Sequence, residues 1–168
     1  YAELESLDGF IGNFKAKIRL KAKSVDPKIC TGCGDCWEKC PTKKISDEFN
    51  TGLSKRTAIY VPFPQAIPNK PVIDREYCPY YGKKKGSCGI CKKVCKAGAI
   101  DFETVDEIIE VDAGAVVVAT GFDLKHADFF PEYGYGKFAD VIDGMQFERL
   151  ASASGPTAGE IKRPSDGK

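Results

Sequence analysis

The chain has 168 residues, of which 42% are hydrophobic, and a formal net charge of +1 at pH 7. These values fit a globular protein of one or two domains, and no apolar run approaches the ~20 residues of a membrane-spanning helix. Residues 1–96 hold 19 Lys and Arg against 10 Asp and Glu, and they contain all eight cysteines. Because the basic residues alternate with the cysteines and no nucleic-acid motif is present, we expect no nucleic-acid partner.

The first predicted element is a strand over residues 14–23. Apolar residues occupy every second position from Phe14 to Ala22, and Lys or Arg fills each position between them. Alternation with a period of two is typical of a strand with one buried face and one hydrated face. Asp26-Pro27 follows as a break.

Residues 28–100 form the cysteine-containing region. Its middle carries five prolines, at Pro41, Pro62, Pro64, Pro68 and Pro71. This spacing predicts irregular chain with short strands such as 58–61. We interpret the stretch 61–68 as a packed surface loop rather than as a peptide ligand for a partner.

Strands are predicted after the last cysteine at 107–111 and at 115–119. The second is a continuous run of Ala and Val, which predicts a strand buried on both faces. The strand at 14–23 and these later strands are expected to share one sheet, with the cysteine region inserted between them. Asp143 is a candidate N-cap for a helix over 144–152, and the polar tail 151–168 is typical of a linker or extended arm.

The first cysteine motif has the spacing of bacterial two-cluster ferredoxins, at Cys30, Cys33, Cys36, Cys40 and Pro41. Two-residue gaps allow a tight loop to bring three thiolates to three irons of one cube. Gly32 and Gly34 keep side chains away from the cube and leave amide groups free to point at sulfur. The fourth cysteine is expected to begin a helical turn that faces a second cube.

The second motif repeats the last three gaps, at Cys78, Cys88, Cys91 and Cys95. Its first gap is lengthened by a basic loop at 83–85. Together with Lys92 and Lys93, this loop is expected to raise the potential of the second cluster or, as the favoured interpretation, to dock an acidic partner. We predict crossed ligation. One [4Fe–4S] cluster would be held by Cys30, Cys33, Cys36 and Cys95. The other would be held by Cys78, Cys88, Cys91 and Cys40.

Other uses of eight cysteines remain open. Zinc sites would also take four thiolates each, but their ligands usually form separated C-x-x-C knuckles. Disulfides between cysteines two residues apart have poor geometry, and a single cluster with spare cysteines is supported only by the stretched second motif. Two clusters fit best, and removing iron should unfold a region with so thin a core. His126, the only histidine, is interpreted as a loop residue rather than as a ligand.

The sequence resembles the A-type polypeptide of heterodisulfide reductase, a flavin and iron–sulfur protein of methanogens and their relatives. The shared stretches are the first cysteine motif, AIYVPFPQAIP at 58–68, CGICKKVCKAGAIDF at 88–102, GAVVVATGFD at 114–123, PEYGYG at 131–136 and the tail. FPQAIP and PEYGYG are not general ferredoxin features, which makes the resemblance specific.

The resemblance implies an α+β chain in which a bacterial-type ferredoxin fold with two [4Fe–4S] clusters is inserted into part of a β-rich, thioredoxin-reductase-like flavoprotein domain. Residues 1–24 and 105–150 would be segments of the FAD domain, 25–104 the ferredoxin-like domain and 151–168 the tail. Ala119, Thr120 and Gly121 would lie beside the FAD. The Gly-rich FAD fingerprint is absent from these residues, so FAD is expected with the full-length protein.

The resemblance also implies electron transfer within a cytoplasmic, flavin-based electron-bifurcating oxidoreductase of methanogenesis. One electron would go toward the heterodisulfide of coenzymes M and B and the other to ferredoxin. The partners would be the other polypeptides of the reductase, an electron-input hydrogenase or formate dehydrogenase, and ferredoxin, with no membrane. The chain alone would act as an electron carrier. The alternatives are a component of a quinone-linked or sulfur-metabolism oxidoreductase, a fragment that retains flavin chemistry, and a zinc-stapled interaction module.

Overall fold

The computed structural model describes residues 1–121, 123–124 and 129–168, so His126 lies outside the described residues. In chain order the elements are β1 (Ala2–Phe10), β2 (Asn13–Leu20), α1 (Asp35–Glu38), β3 (Ile45–Ser46), β4 (Lys55–Arg56), β5 (Ile59–Tyr60), β6 (Val72–Ile73), α2 (Ile90–Val94), β7 (Glu107–Ala113) and α3 (Gly144–Ala151). This mixture of antiparallel strands and short helices confirms the α+β class. Within the described part of the chain, no helix has the length and apolar character needed to cross a membrane.

The largest sheet is antiparallel, with the strand order β1-β2-β7. The predicted alternation in β2 is confirmed, because Phe14, Ala16 and Ile18 are partly buried whereas Lys15 and Lys17 are exposed. No sequence pattern singles out β1, which nevertheless pairs with β2 along its whole length. β2 and β7 also pair, as expected for the two segments that flank the cysteine region.

The predicted strand at 115–119 is wrong. β7 ends at Ala113, and the side chains that follow are exposed, with Val117 at 88% and Val118 at 80%. The reason is the length of the partner strand. Ala113 lies opposite Phe14, and the last backbone hydrogen bond beyond this pair joins Gly12 N to Gly114 O at 2.8 Å. β2 begins there after a hairpin turn, so the Val run has no strand edge on this sheet to pair with.

The predicted helix cap at Asp143 is confirmed. Its carboxylate accepts a hydrogen bond from Gln146 N at 2.8 Å, and the Gln146 side chain accepts one from Asp143 N at 3.1 Å. α3 then docks on a loop of the cysteine region, where Arg149 Nε donates to Asn50 Oδ1 at 3.1 Å. The Arg149 guanidinium also lies 4.2 Å from the ring centroid of Phe49.

Replacing the cap residue should loosen α3. Asp143→Ala removes the acceptor of the Gln146 amide, a loss of about 1 kcal/mol that corresponds to roughly fivefold faster amide exchange in the first turn. Hydrogen–deuterium exchange at Gln146 and Phe147 measures this effect. Asp143→Asn keeps an acceptor oxygen and should exchange like the wild type. Unchanged exchange in Asp143→Ala would show that the cap is dispensable.

The tail folds back instead of extending away. Thr157 Oγ1 donates to Leu150 O at 3.2 Å, and Ser165 donates from both N and Oγ to the carboxylate of Asp140 at 3.0 and 2.7 Å. Short hydroxyl side chains can form such local hydrogen bonds, which is why a polar, glycine-rich stretch settles into turns.

The cysteine region has a thin core. Twelve buried residues form its apolar cluster, and four of them are cysteines: Cys36, Cys40, Cys78 and Cys91. Two-stranded pairs, β3 with β4 and β5 with β6, flank this cluster. Since cysteine occupies a third of the core, whatever the thiols bind contributes directly to folding.

Arg56 joins the two small sheets. Its side chain is only 6% exposed; it donates to both carboxylate oxygens of Glu48, at 2.6 and 2.5 Å, and to Asp74 at 2.8 Å. The guanidinium lies 3.9 Å from the ring centroid of Tyr60. Burial alone would lower the pKa of Arg56, but the hydrogen bonds to Glu48 and Asp74 outweigh it and raise that pKa. The bonds from Arg56 hold the pKa of the Glu48 carboxyl below its ordinary value.

Candidate metal centres

The loop of the first cysteine motif has the geometry that its glycines permit. Gly32 and Gly34 have φ values of 75° and 98°, a region that side chains with a Cβ rarely adopt. A Cβ on Gly34 would also lie 3.1 Å from the Trp37 ring. Gly32 N donates to Cys30 Sγ at 3.4 Å. The predicted amide group pointing at sulfur is therefore present.

Two short helices carry cysteines in the same way. Cys36 lies inside α1 and Cys40 follows its end, and Cys91 lies inside α2 with Cys95 directly after it. The expectation that Cys40 begins a helical turn is wrong, because α1 starts at Asp35 and ends at Glu38. The left-handed Gly34 starts the helix early, so each helix places one cysteine within its turn and another one turn later. α1 and α2 contact each other.

Two cavities divide the cysteines into two sets. The first has a volume of about 520 Å³, and its lining includes Cys30, Cys33, Cys36 and Cys95. The second is much tighter, at about 20 Å³, and its lining includes Cys40, Cys78, Cys88 and Cys91. Each cavity thus takes three cysteines from one motif and one from the other. This is the division that crossed ligation requires, although the ligand sets themselves stay a prediction.

The donor chemistry of both cavities suits an iron–sulfur cluster. All eight cysteines are free thiols, and a [4Fe–4S] cluster takes four thiolates. A zinc ion needs its thiolates about 2.3 Å from one point. Across residues 1–121, 123–124 and 129–168, no three Cys, His, Asp or Glu side chains are arranged to hold a single metal ion.

Burial controls the protonation of the core cysteines. It raises the pKa of Cys36 to about 11 and that of Cys91 to about 12, and it also raises the pKa of Cys78. Without metal these thiols are neutral at pH 7, which suits an apolar core. Because iron binds the thiolate, loading of either cavity must release protons.

Aromatic side chains pack around the cysteines. Trp37 lines the first cavity, and Tyr80 stacks on Phe102 with ring centroids 3.8 Å apart. The ring of Tyr81 packs edge-on against Phe102, with the two ring centroids 5.9 Å apart. Trp37, Tyr80 and Tyr81 all pack against the core that contains the buried cysteines, where their rings exclude water from the thiols.

The structure separates the remaining predicted site residues from the cavities. Ala119, Thr120 and Gly121 are exposed chain beyond the end of the sheet, and neither cavity includes them in its lining. In the basic loop, Lys85 pairs with Glu103 at 3.0 Å, and residues 82–87 are exposed. Sequence analysis missed Lys70, which donates to Cys30 O at 2.5 Å from 40 residues away. The only sequence feature that could have pointed to Lys70 is its position two residues after the FPQAIP stretch.

Comparisons with known proteins agree with this chemistry. Residues 29–98 match a family described as a 4Fe-4S double cluster binding domain. The whole chain is 43% identical to the A-type polypeptide of the H2:CoB-CoM heterodisulfide, ferredoxin reductase of Methanothermobacter marburgensis, covering 24% of that protein. It is 48% identical, again over its whole length and 24% of the relative, to the second A-type iron–sulfur polypeptide of the CoB–CoM heterodisulfide reductase of Methanopyrus kandleri.

A third relative is the A-type polypeptide of the ferredoxin:CoB-CoM heterodisulfide reductase of Methanosarcina mazei. It is 40% identical over the whole chain, which covers 20% of that protein. The chain therefore spans about a quarter or less of the length of these curated relatives.

Proposed function

Because the chain is homologous along its whole length to the A-type polypeptides of the heterodisulfide reductases and contains a 4Fe-4S double-cluster domain, we propose that it carries single electrons within such a reductase. The observation that carries this proposal is the division of eight free thiols between two cavities, four to each. When bound, a [4Fe–4S] cluster accepts and returns one electron.

The ligand sets follow the two cavities. In the proposal, Cys30, Cys33 and Cys36 hold the first cluster together with Cys95. The second is held by Cys78, Cys88, Cys91 and Cys40. Cys36 of α1 lines the first cavity and Cys91 of α2 lines the second. Because the two helices contact each other, the two sites lie side by side. Short separation favours electron exchange between them.

The surrounding backbone prepares the first cavity for a charged cluster. The Gly32 and Ala99 amides donate to Cys30 Sγ and Cys95 Sγ, both at 3.4 Å. Such bonds stabilise negative charge on sulfur. The second cavity is closed by buried Cys40, Cys78 and Cys91, whereas Cys33 of the first is exposed. The first site is therefore the more accessible to an external electron carrier.

The wider assignment follows from the relatives. We propose that the full-length protein binds FAD, with Ala119, Thr120 and Gly121 beside it, in a thioredoxin-reductase-like domain into which the cysteine region is inserted. Its partners would be the other polypeptides of the reductase, ferredoxin, and an electron-input hydrogenase or formate dehydrogenase. Its reaction would be flavin-based reduction of the heterodisulfide and of ferredoxin, in the cytoplasm, where free thiols persist.

Metal analysis tests the proposal directly. Protein purified without oxygen should hold about eight iron and eight acid-labile sulfide per chain, because four thiolates bind each [4Fe–4S] cube. It should be brown, with broad absorbance at about 400 nm that bleaches on reduction. A colourless protein with two zinc ions and no sulfide would refute electron transfer and would favour the alternative of a zinc-stapled interaction module.

A further inference from the structure

The proline-rich stretch that ends at Pro71 lies directly against the loop of the first cysteine motif. The carbonyl oxygen of Asn69 lies 3.5 Å from the position that a Cβ on Gly32 would take. Asn69 Nδ2 also donates to Pro64 O at 3.2 Å, which braces the stretch. Pro71 lines the first cavity. This stretch therefore forms one wall of the first site and has no counterpart among the lining residues of the second.

Lys70 places a positive charge behind this wall; its side chain lines a neighbouring cavity and is not among the residues that line the first. Its Nζ donates to the backbone carbonyl of Cys30 at 2.5 Å, and the sulfur of the same residue lines the first cavity. The residue is partly buried. Among the described residues, no carboxylate lies within 4.0 Å of its Nζ, unlike Lys85, which pairs with Glu103. No carboxylate of the described residues therefore neutralises the ammonium charge, and water screens it only in part.

We propose that Lys70 is a positioning residue that raises the reduction potential of the first cluster and leaves the second unaffected. The inference rests on the proposed function, because it needs a cluster in the first cavity. Reduction adds one negative charge there, and a nearby cation held off bulk water stabilises the reduced form. Lys96 also lines this cavity, but its side chain is exposed, so solvent and salt screen it.

The test is a redox titration of the intact chain followed by electron paramagnetic resonance. Lys70→Met keeps the length of the side chain and removes the charge. We expect one of the two titrating components to become about tenfold harder to reduce, a shift of 59 mV for a one-electron couple. The other component should change less than about twofold. Lys70→Arg retains the charge and should restore the wild-type titration.

Two further variants separate charge from packing. Lys70→Gln keeps a donor for the Cys30 carbonyl without the charge, and it should titrate like Lys70→Met. Lys28→Met removes an exposed lysine two residues from Cys30, and it should titrate like the wild type. Wild-type potentials in Lys70→Gln would assign the effect to the hydrogen bond and overturn the proposal.

Iron content separates this inference from the proposed function. If the wild type binds no iron, the proposed function itself fails. If the Lys70 variants retain eight iron per chain but both components stay unchanged, or both shift together, the proposed function survives and the role of Lys70 is overturned. If Lys70→Met loses iron, the comparison of Lys70→Gln with Lys70→Arg tests the role of the charge. One component that is harder to reduce in Lys70→Gln supports the proposal, and equal potentials in the two variants overturn it.

Discussion

Replacing Cys95 with alanine is expected to remove the first cluster, although the three other proposed ligands of that cluster belong to the distant first motif. Cys95 and Cys30 line the same cavity, whereas Cys88, only seven residues before Cys95, lines the other. A cube with three thiolates loses a bond that also holds two chain segments together, so both iron and folding energy are lost. We expect about four of the eight irons to disappear.

Electron paramagnetic resonance of the reduced protein measures which cluster is lost. Cys95→Ala and Cys30→Ala should abolish the same spectral component, and Cys88→Ala should abolish the other. The three variants are matched, because each removes one thiol that is at least partly accessible. If Cys95→Ala and Cys88→Ala remove the same component, the motifs bind their clusters independently and crossed ligation is wrong.

Arg56→Met is expected to destabilise the cysteine region by about 3 kcal/mol, because removing one partner of a buried ion pair leaves the other charge without its counter-ion. Asp74 is the group left behind, with a side chain only 16% exposed, whereas Glu48 is 66% exposed and regains water. Denaturant unfolding without oxygen measures the change, provided that the slope with denaturant is unchanged. Arg163→Met is the matched control, because Arg163 is 59% exposed where it pairs with Asp166. It should cost less than about 1 kcal/mol.

The loss in Arg56→Met should depend on pH in a stated direction. Hydrogen bonding to Arg56 lowers the pKa of Glu48 from 4.5. A carboxyl with a depressed pKa in the folded state contributes its stability above the unfolded value and loses it as the pH falls through the folded value. The wild type should therefore lose part of its advantage over Arg56→Met below about pH 4.5. A constant difference between pH 7 and pH 3 would show that Glu48 contributes nothing.

Local patterns predicted local structure well. The alternation at 14–23 identified β2, because a strand with one buried face and one exposed face produces this period of two in its own sequence. Asp143 identified the start of α3 for a similar reason, since an N-cap bonds to an amide three residues away. The cysteine spacing likewise predicted the tight loop of the first motif, in which the Gly32 amide points at Cys30 Sγ, whereas the crossed ligand sets stay a prediction.

Long-range contacts required the tertiary structure. The Val run before Ala119 has strong strand propensity, but β2 begins at Asn13 and provides no edge beyond Gly114. Lys70 is one of many lysines in the sequence, and only the fold places it on the carbonyl of Cys30. Arg56 meets Asp74 across 18 residues for the same reason. Composition and spacing therefore determined the metal chemistry of this chain, whereas packing decided which charged side chains lie near the cysteines. The physical reason is that no local pattern encodes the chain path between distant residues.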